Sequence, residues 1–219
     1  MSDTIINHYE EEHLTKCVID RKLEYLSDLR NAVSRSFSGR IGAELSTSFL
    51  SESEKLIANS IKQYELGYFD AAFYSLRATL ELFMLLVYFL EHQTLELTEH
   101  LKKWNKLENM DTYSRMEHYL SKNSDLYIDI KSNMADYFDT IKALNLLLNK
   151  KIHKQSFHNF YTNRVHFIAG RNFSKDKEIE EFDEAVRKII GAIIVFRLFI
   201  DPMPVLLMDE DIYLRTKDT

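Results

Sequence analysis

The sequence predicts an all-α protein, a helical bundle of about six helices around one core. Two observations carry that prediction. Five glycines and two prolines occur in 219 residues, and both prolines, Pro202 and Pro204, fall near the C-terminus. A β-rich chain of this length needs more turn residues than that. Apolar residues make up 45% of the chain, and they recur at spacings of three and four, the period of a helix with one buried face. The length suits a single domain.

The first helical segment spans about residues 4–38, as one helix or two, with Leu26, Leu29, Val33 and Phe37 in period and Ser38-Gly39 and Gly42 at its end. Ser51-Glu-Ser-Glu54 fits a capping box, in which a Ser oxygen accepts from the third helical amide and a Glu reaches back. The helix it starts carries Ile57, Ile61 and Tyr64 and stops at Gly67. A second helix starts near Phe69 or Asp70 and continues through Phe73, Leu76, Leu80, Phe83, Val87 and Leu90. Its second half, Met84 to Phe89, is apolar all round, which marks a central helix. Gly67 makes the two an antiparallel hairpin. Short helices follow near 97–106 and 112–121. A long helix then runs from Ile130 to Ile152, and a last one over about 176–200, ended by Asp201-Pro202. The 3-4 seams suit bundle packing, and dimer seams use the same spacing.

Several function classes find no support. One cysteine, Cys17, excludes an intramolecular disulfide and a CxxC site, and its apolar helix face makes it core filler. No HExxH, GxxxxGK[ST] or GxGxxG occurs, and Glu10-Glu-Glu-His13 lacks the further ligand that a metal needs. No cofactor is expected. The opening MSDTIINHYEEEH has neither a basic n-region nor an apolar h-region, so a cytoplasmic location is expected. The most apolar stretches, Leu82–Leu90 and Ile189–Ile200, are shorter than the roughly 20 residues of a membrane span.

The net charge of −6 does not draw the whole chain to nucleic acid, but the charge is unevenly spread. From Thr140 to Lys175 there are seven Lys and Arg residues and no Asp or Glu, so the remainder carries −13. His153, His158 and His166 lie in this stretch, with Phe157, Phe160, Tyr161, Phe167 and Phe173 interleaved. Basic groups beside aromatic rings suit phosphates and unstacked bases, whereas a solvated basic face would look the same in sequence. Within it, Asn145, Asn149 and His153 form one stripe beside the apolar seam of Ile141, Leu144 and Leu148. An imidazole titrates near neutral pH and suits general acid–base work, although at a helix end it also meets the dipole favourably. Lys150 and Lys151 stand ready for a phosphate. Arg77 and Glu81, an i, i+4 pair on the central helix, either brace each other or reach this stripe.

Leu148-Asn-Lys-Lys-Ile-His153-Lys154, at the end of a long helix in an all-α bundle, resembles the HEPN superfamily, as does the hairpin with Gly67, Ala71-Ala72, Leu76-Arg-Ala78 and Glu81. Asp201-Pro-Met-Pro-Val-Leu-Leu-Met-Asp209 looks like a tail of its defence-linked members. The resemblance covers residues 50–200. It leaves 1–45 as a helical extension and 201–219 as a tail. It implies a four-helix-bundle core, a homodimer, and a place in bacterial antiviral defence or toxin–antitoxin systems. Many members are metal-independent ribonucleases with an Arg, four to six residues, then a His, acting through the RNA 2′-hydroxyl. This sequence departs from that signature. No Arg stands at that distance before any His, and Asn149 occupies about the expected place before His153. Asn has no charge to offer a transition-state phosphate. Either Lys150 or Lys151 substitutes, or the fold persists without the chemistry.

The resemblance therefore implies an RNA- or nucleotide-binding component of a defence or toxin–antitoxin system. Two alternatives stand beside it: an active ribonuclease using His153, Asn149 and Lys150, and a structural subunit docking on a partner protein. Lys151, Lys154, His158, Arg164, His166 and Arg171 are the expected nucleic-acid-binding set.

Overall fold

Seven consecutive side chains, Phe83 to Phe89, are buried, and a helix that is apolar around its whole circumference needs neighbours on every side. The computed structural model, which describes residues 18–34, 43–92, 94–106, 111–155, 175–200 and 202, supplies them. Its helices are α1 (Lys22–Ser34), α2 (Ala43–Glu65), α3 (Phe69–Leu90), α4 (Thr94–Asn105), α5 (Tyr113–Asn123), α6 (Asp125–Asn133), α7 (Ala135–Ile152) and α8 (Lys175–Ile200). The fold is an all-α bundle, with eight helices among the described residues where about six were expected. α3 is the hub, packed by α2, α8, α7, α5 and α4. It is long and apolar enough to cross a membrane by length and composition. Here most of its apolar surface is spent on the core instead. Buried apolar side chains of α1, α2, α3, α5, α6, α7 and α8 belong to one cluster.

Gly67 turns the α2–α3 hairpin as its position predicts. Its φ is 87°, a left-handed value that costs a residue with a Cβ. Gly67 N–H donates to the Tyr64 carbonyl (3.0 Å) and Tyr68 N–H to that of Gln63 (2.8 Å). These two bonds close the last turn of α2 in a Schellman motif. Across the hairpin, Ser60 Oγ donates to the Ala72 carbonyl at 2.8 Å.

Tyr64 then fastens α2 to α8. Its ring stacks on Phe182 with centroids 3.8 Å apart, and its hydroxyl donates to the Glu178 carbonyl at 2.8 Å. Phe73 meets both rings edge-on. Above Phe73, at 5.2 Å from the ring centroid, sits the Lys151 ammonium. It contacts Glu181 at 2.9 Å and Glu178 at 3.7 Å. Lys151 is buried, so this group joins α7, α3 and α8 in a site largely shut from water.

Two sequence expectations are corrected. Ser51-Glu-Ser-Glu54 does not start a helix, because α2 begins at Ala43. Phe49 and Leu50 are buried, so the apolar face continues upstream of the capping pattern. Ser53 Oγ bonds back to the Phe49 carbonyl at 2.8 Å instead. The long helix from Ile130 to Ile152 is broken at Met134 (φ −126°, ψ 38°). Ile130, Met134 and Tyr137 all pack on the core across the break, so the apolar period never registers it. Of the segment 4–38, the helix α1 is described. The Ser38-Gly39 and Gly42 stops, Glu10–His13 and Cys17 lie outside the described residues.

Gly67→Ala should lower stability by about 1–2 kcal/mol through the forced positive φ, read as a drop in the urea midpoint at unchanged slope. Lys151→Ala should cost about 3 kcal/mol, because two carboxylates lose their buried counter-ion. The exposed neighbour Lys150→Ala should stay within about 0.5 kcal/mol in the same assay. Equal effects at 151 and 150 would show that the buried ion cluster is not holding the helices together.

Candidate functional site

Because α7 packs antiparallel to α3, the residues along both can be read in spatial order. The C-terminal end of α7 lies at the N-terminal end of α3, where Lys154 pairs with Asp70 and Lys151 covers Phe73. Toward the other end of α3, Tyr88 Oη donates to Asp111 Oδ2 at 3.3 Å, which brings in the segment before α5. Between these two fixed points α3, α7 and the α4–α5 segment enclose a cleft of about 760 Å³.

Its lining is mixed. Arg77, Lys150 and His153 contribute basic groups, Glu81 and Asp111 carboxylates, Asn145 and Asn149 amides, and Leu82, Leu85, Trp104, Tyr113 and Met116 mostly apolar surface. Arg77 and Glu81 are paired at 2.7 Å and also line the cleft, so both sequence readings of that pair hold. The Arg77 Nε has no hydrogen-bond acceptor among the described residues.

His153 sits on the C-cap of α7, where its N–H donates to the Asn149 carbonyl at 2.9 Å. The next residue, Lys154, adopts a left-handed φ of 52°. That turn lets Gln155 N–H return to the Lys150 carbonyl (3.1 Å) and sets His153 and Gln155 at the cleft. A non-glycine residue in this conformation costs free energy, and the Lys154 side chain pairs with Asp70. Asn145 is 8% exposed. Its Oδ1 accepts from Asn149 Nδ2 at 3.4 Å, a long and weak bond.

The opposite wall includes the start of α5. Thr112 is its N-cap, and the side chain makes no capping bond. Thr112, Tyr113 and Ser114 line the cleft, and the first amides of a helix have no partner within it. Behind this wall, Tyr88 packs with His92, His100 and Tyr119. Burial, then the charge and hydrogen bond of Asp111, pushes the Tyr88 phenol up to about 12. Burial likewise raises Tyr113, with a smaller contribution from Glu117.

The structure thus gathers Asn149, Lys150 and His153 in one cleft. It does not bring Lys151 there. That ammonium is buried against Glu178 and Glu181, so it is not available to a phosphate. Lys154 is paired with Asp70 beside the cleft. His158, Arg164, His166 and Arg171 lie outside the described residues, as do Phe157, Phe160, Tyr161, Phe167, Phe173 and the tail from Met203 to Asp209. The sequence reading places short helices near 97–106 and 112–121, close to the observed Thr94–Asn105 and Tyr113–Asn123, but it does not single out Trp104 or the 111–116 segment as part of a site. Among the described residues no group of three His, Cys, Asp or Glu side chains is placed to hold a metal. Comparison with family models, curated proteins and solved structures finds no match to this chain.

The Tyr88 phenol titrates at about 10 in an unfolded chain and near 12 when folded. Folding therefore favours the neutral form, and that stability is complete below pH about 10 and lost as pH climbs toward about 12. The urea midpoint should fall over that window, and Tyr88→Phe should flatten part of the fall. An identical pH profile in the variant would remove Tyr88 as a source.

Proposed function

We propose that this chain is an HEPN-like component of a bacterial defence or toxin–antitoxin system, binding RNA or a nucleotide in the cleft between α3 and α7. The observation that supports this reading is the grouping of His153, Asn149, Lys150 and Arg77 in one cleft. Cations and an imidazole suit a phosphate, and amides and aromatic rings suit a base. A homodimer, and a partner protein from the same system, belong to this proposal through the family resemblance.

A second reading, a metal-independent ribonuclease, is favoured by Arg77. The guanidinium absent from α7 enters the cleft from α3 instead. In that reaction His153 takes the proton of the RNA 2′-hydroxyl. The new O2′–P bond then forms as the P–O5′ bond breaks, and the 5′ oxygen leaves with a proton from solvent. A cation beside the phosphate stabilises the charge that develops on its oxygens. The pairing of Arg77 with Glu81 offsets part of its charge, which favours binding over catalysis.

The test is a gel of total tRNA with wild type and His153→Ala, in EDTA. A band shift without cleavage, weakening as salt rises, is the expected result, because phosphate contacts release counterions. Cleavage by wild type and not by the variant would install the ribonuclease reading. Neither shift nor cleavage, with tRNA or with single nucleotides, would overturn both.

A further inference from the structure

We propose that the phosphate of the cleft's ligand binds on the Arg77 guanidinium, and that Glu81 is a built-in competitor which this phosphate displaces. The inference rests on the RNA-or-nucleotide reading above. It adds to that reading the seat of the anion and the residue that guards it.

α3 has three charged residues, Asp70, Arg77 and Glu81. Asp70 is taken by Lys154, outside the cleft lining. Arg77 and Glu81 both line the cleft. The Lys154–Asp70 and Lys151–Phe73 contacts set the register of α7 against α3, and in that register Arg77 comes opposite the turn from Asn145 to Asn149. Lys150 and His153 line the same cleft. Lys150 is exposed and offers a point charge without a fork.

A guanidinium holds its N–H donors in a fixed plane, and two of them on one edge can take two oxygens of a single anion. Glu81 leaves that capacity half used. Its Oε1 meets Arg77 Nη2 at 2.7 Å, whereas Arg77 Nε is shut from water and has no acceptor among the described residues. A buried donor without an acceptor costs stability. A phosphate oxygen on Nε and another on the neighbouring Nη would satisfy the whole edge.

The pair is also easily opened. Its side chains are 22% exposed for Arg77 and 40% for Glu81, and partly solvated pairs of this kind contribute little. Their order on the helix, cation before carboxylate at i, i+4, is the less favourable one. Bracing of α3 is therefore a poor account of Glu81. What it does is neutralise Arg77 while the cleft is empty and set a threshold, since an anion enters only by binding the guanidinium better than Glu81 does. A neutral ligand meets no such threshold.

Calorimetric titration of the full chain with adenosine 5′-monophosphate tests this. Glu81→Gln keeps the side-chain size and removes the competitor, so it should bind about fivefold more tightly than wild type, the most that an exposed ion pair is worth. In an Arg77→Gln background the same change should bring no gain, because the seat is gone. Should Arg77→Gln fail to fold, Arg77→Lys takes its place: it keeps the charge without the fork, and the gain should shrink. Adenosine, which has no phosphate, should bind alike to wild type and Glu81→Gln. No gain from Glu81→Gln, an undiminished gain without Arg77, or an equal gain for adenosine would overturn this inference, and binding of the monophosphate by wild type would leave the reading above intact. Failure of both wild type and Glu81→Gln to bind monophosphate, adenosine or oligonucleotide would overturn that reading and this inference with it. A gain for the monophosphate but not for a hydroxyl-ended tetra-adenylate identifies the terminal phosphate of a free nucleotide as the anion. An equal gain for both identifies the phosphodiester of an RNA strand.

Discussion

Lys151 occupies the point on which the bundle turns. Its ammonium lies over the Phe73 ring and against Glu178 and Glu181, so one buried cation ties α7 to α3 and α8. A buried charge is tolerable only when its partners are close and well placed, which restricts how α7 can lie. Tyr64 adds a second restriction nearby by stacking on Phe182 and donating to the Glu178 backbone. With the register of α7 against α3 set at one end, the stripe of Asn145, Asn149 and His153 comes to lie beside Arg77 and Glu81. The cleft is in this sense a consequence of the ion cluster next to it.

The same helix therefore does two jobs with adjacent lysines. Lys150 is exposed and lines the cleft, while Lys151 is one residue and about 100° further round, inside the core. At the end of the helix a third lysine, Lys154, accepts a left-handed backbone and is held by Asp70. A basic run that looks uniform in sequence is divided by the helical period into one solvent-facing group and two that anchor structure. Helix placement also explains the mixed charge of the cleft. Arg77 comes with Glu81, and Tyr88 on α3 draws in Asp111, so the cleft holds carboxylates as well as cations.

Much of the fold was legible because burial leaves a periodic trace. The apolar-all-round stretch of α3 is the hub, and the period of α8 from Phe182 through Val186, Ile189 and Ile193 is buried throughout. Gly67 was legible for a different reason, since few residues take its φ comfortably. Local signals were less secure. The capping pattern at Ser51 was overridden by Phe49 and Leu50, whose burial extends α2 upstream. The break at Met134 left no trace, because both halves keep the same face to the core.

By itself the sequence determined that the chain is helical, which faces are apolar, where the hairpin turns, and that Asn145, Asn149 and His153 share a stripe. Those properties depend on spacing along one helix, and spacing is written in the chain. Only the tertiary structure decided what faces that stripe. It brought Arg77 and Glu81 across from α3, added Trp104 and the start of α5, and withdrew Lys151 into the core. Such choices depend on how helices pack against one another, which is decided by the joint fit of many side chains and has no signature at any single position.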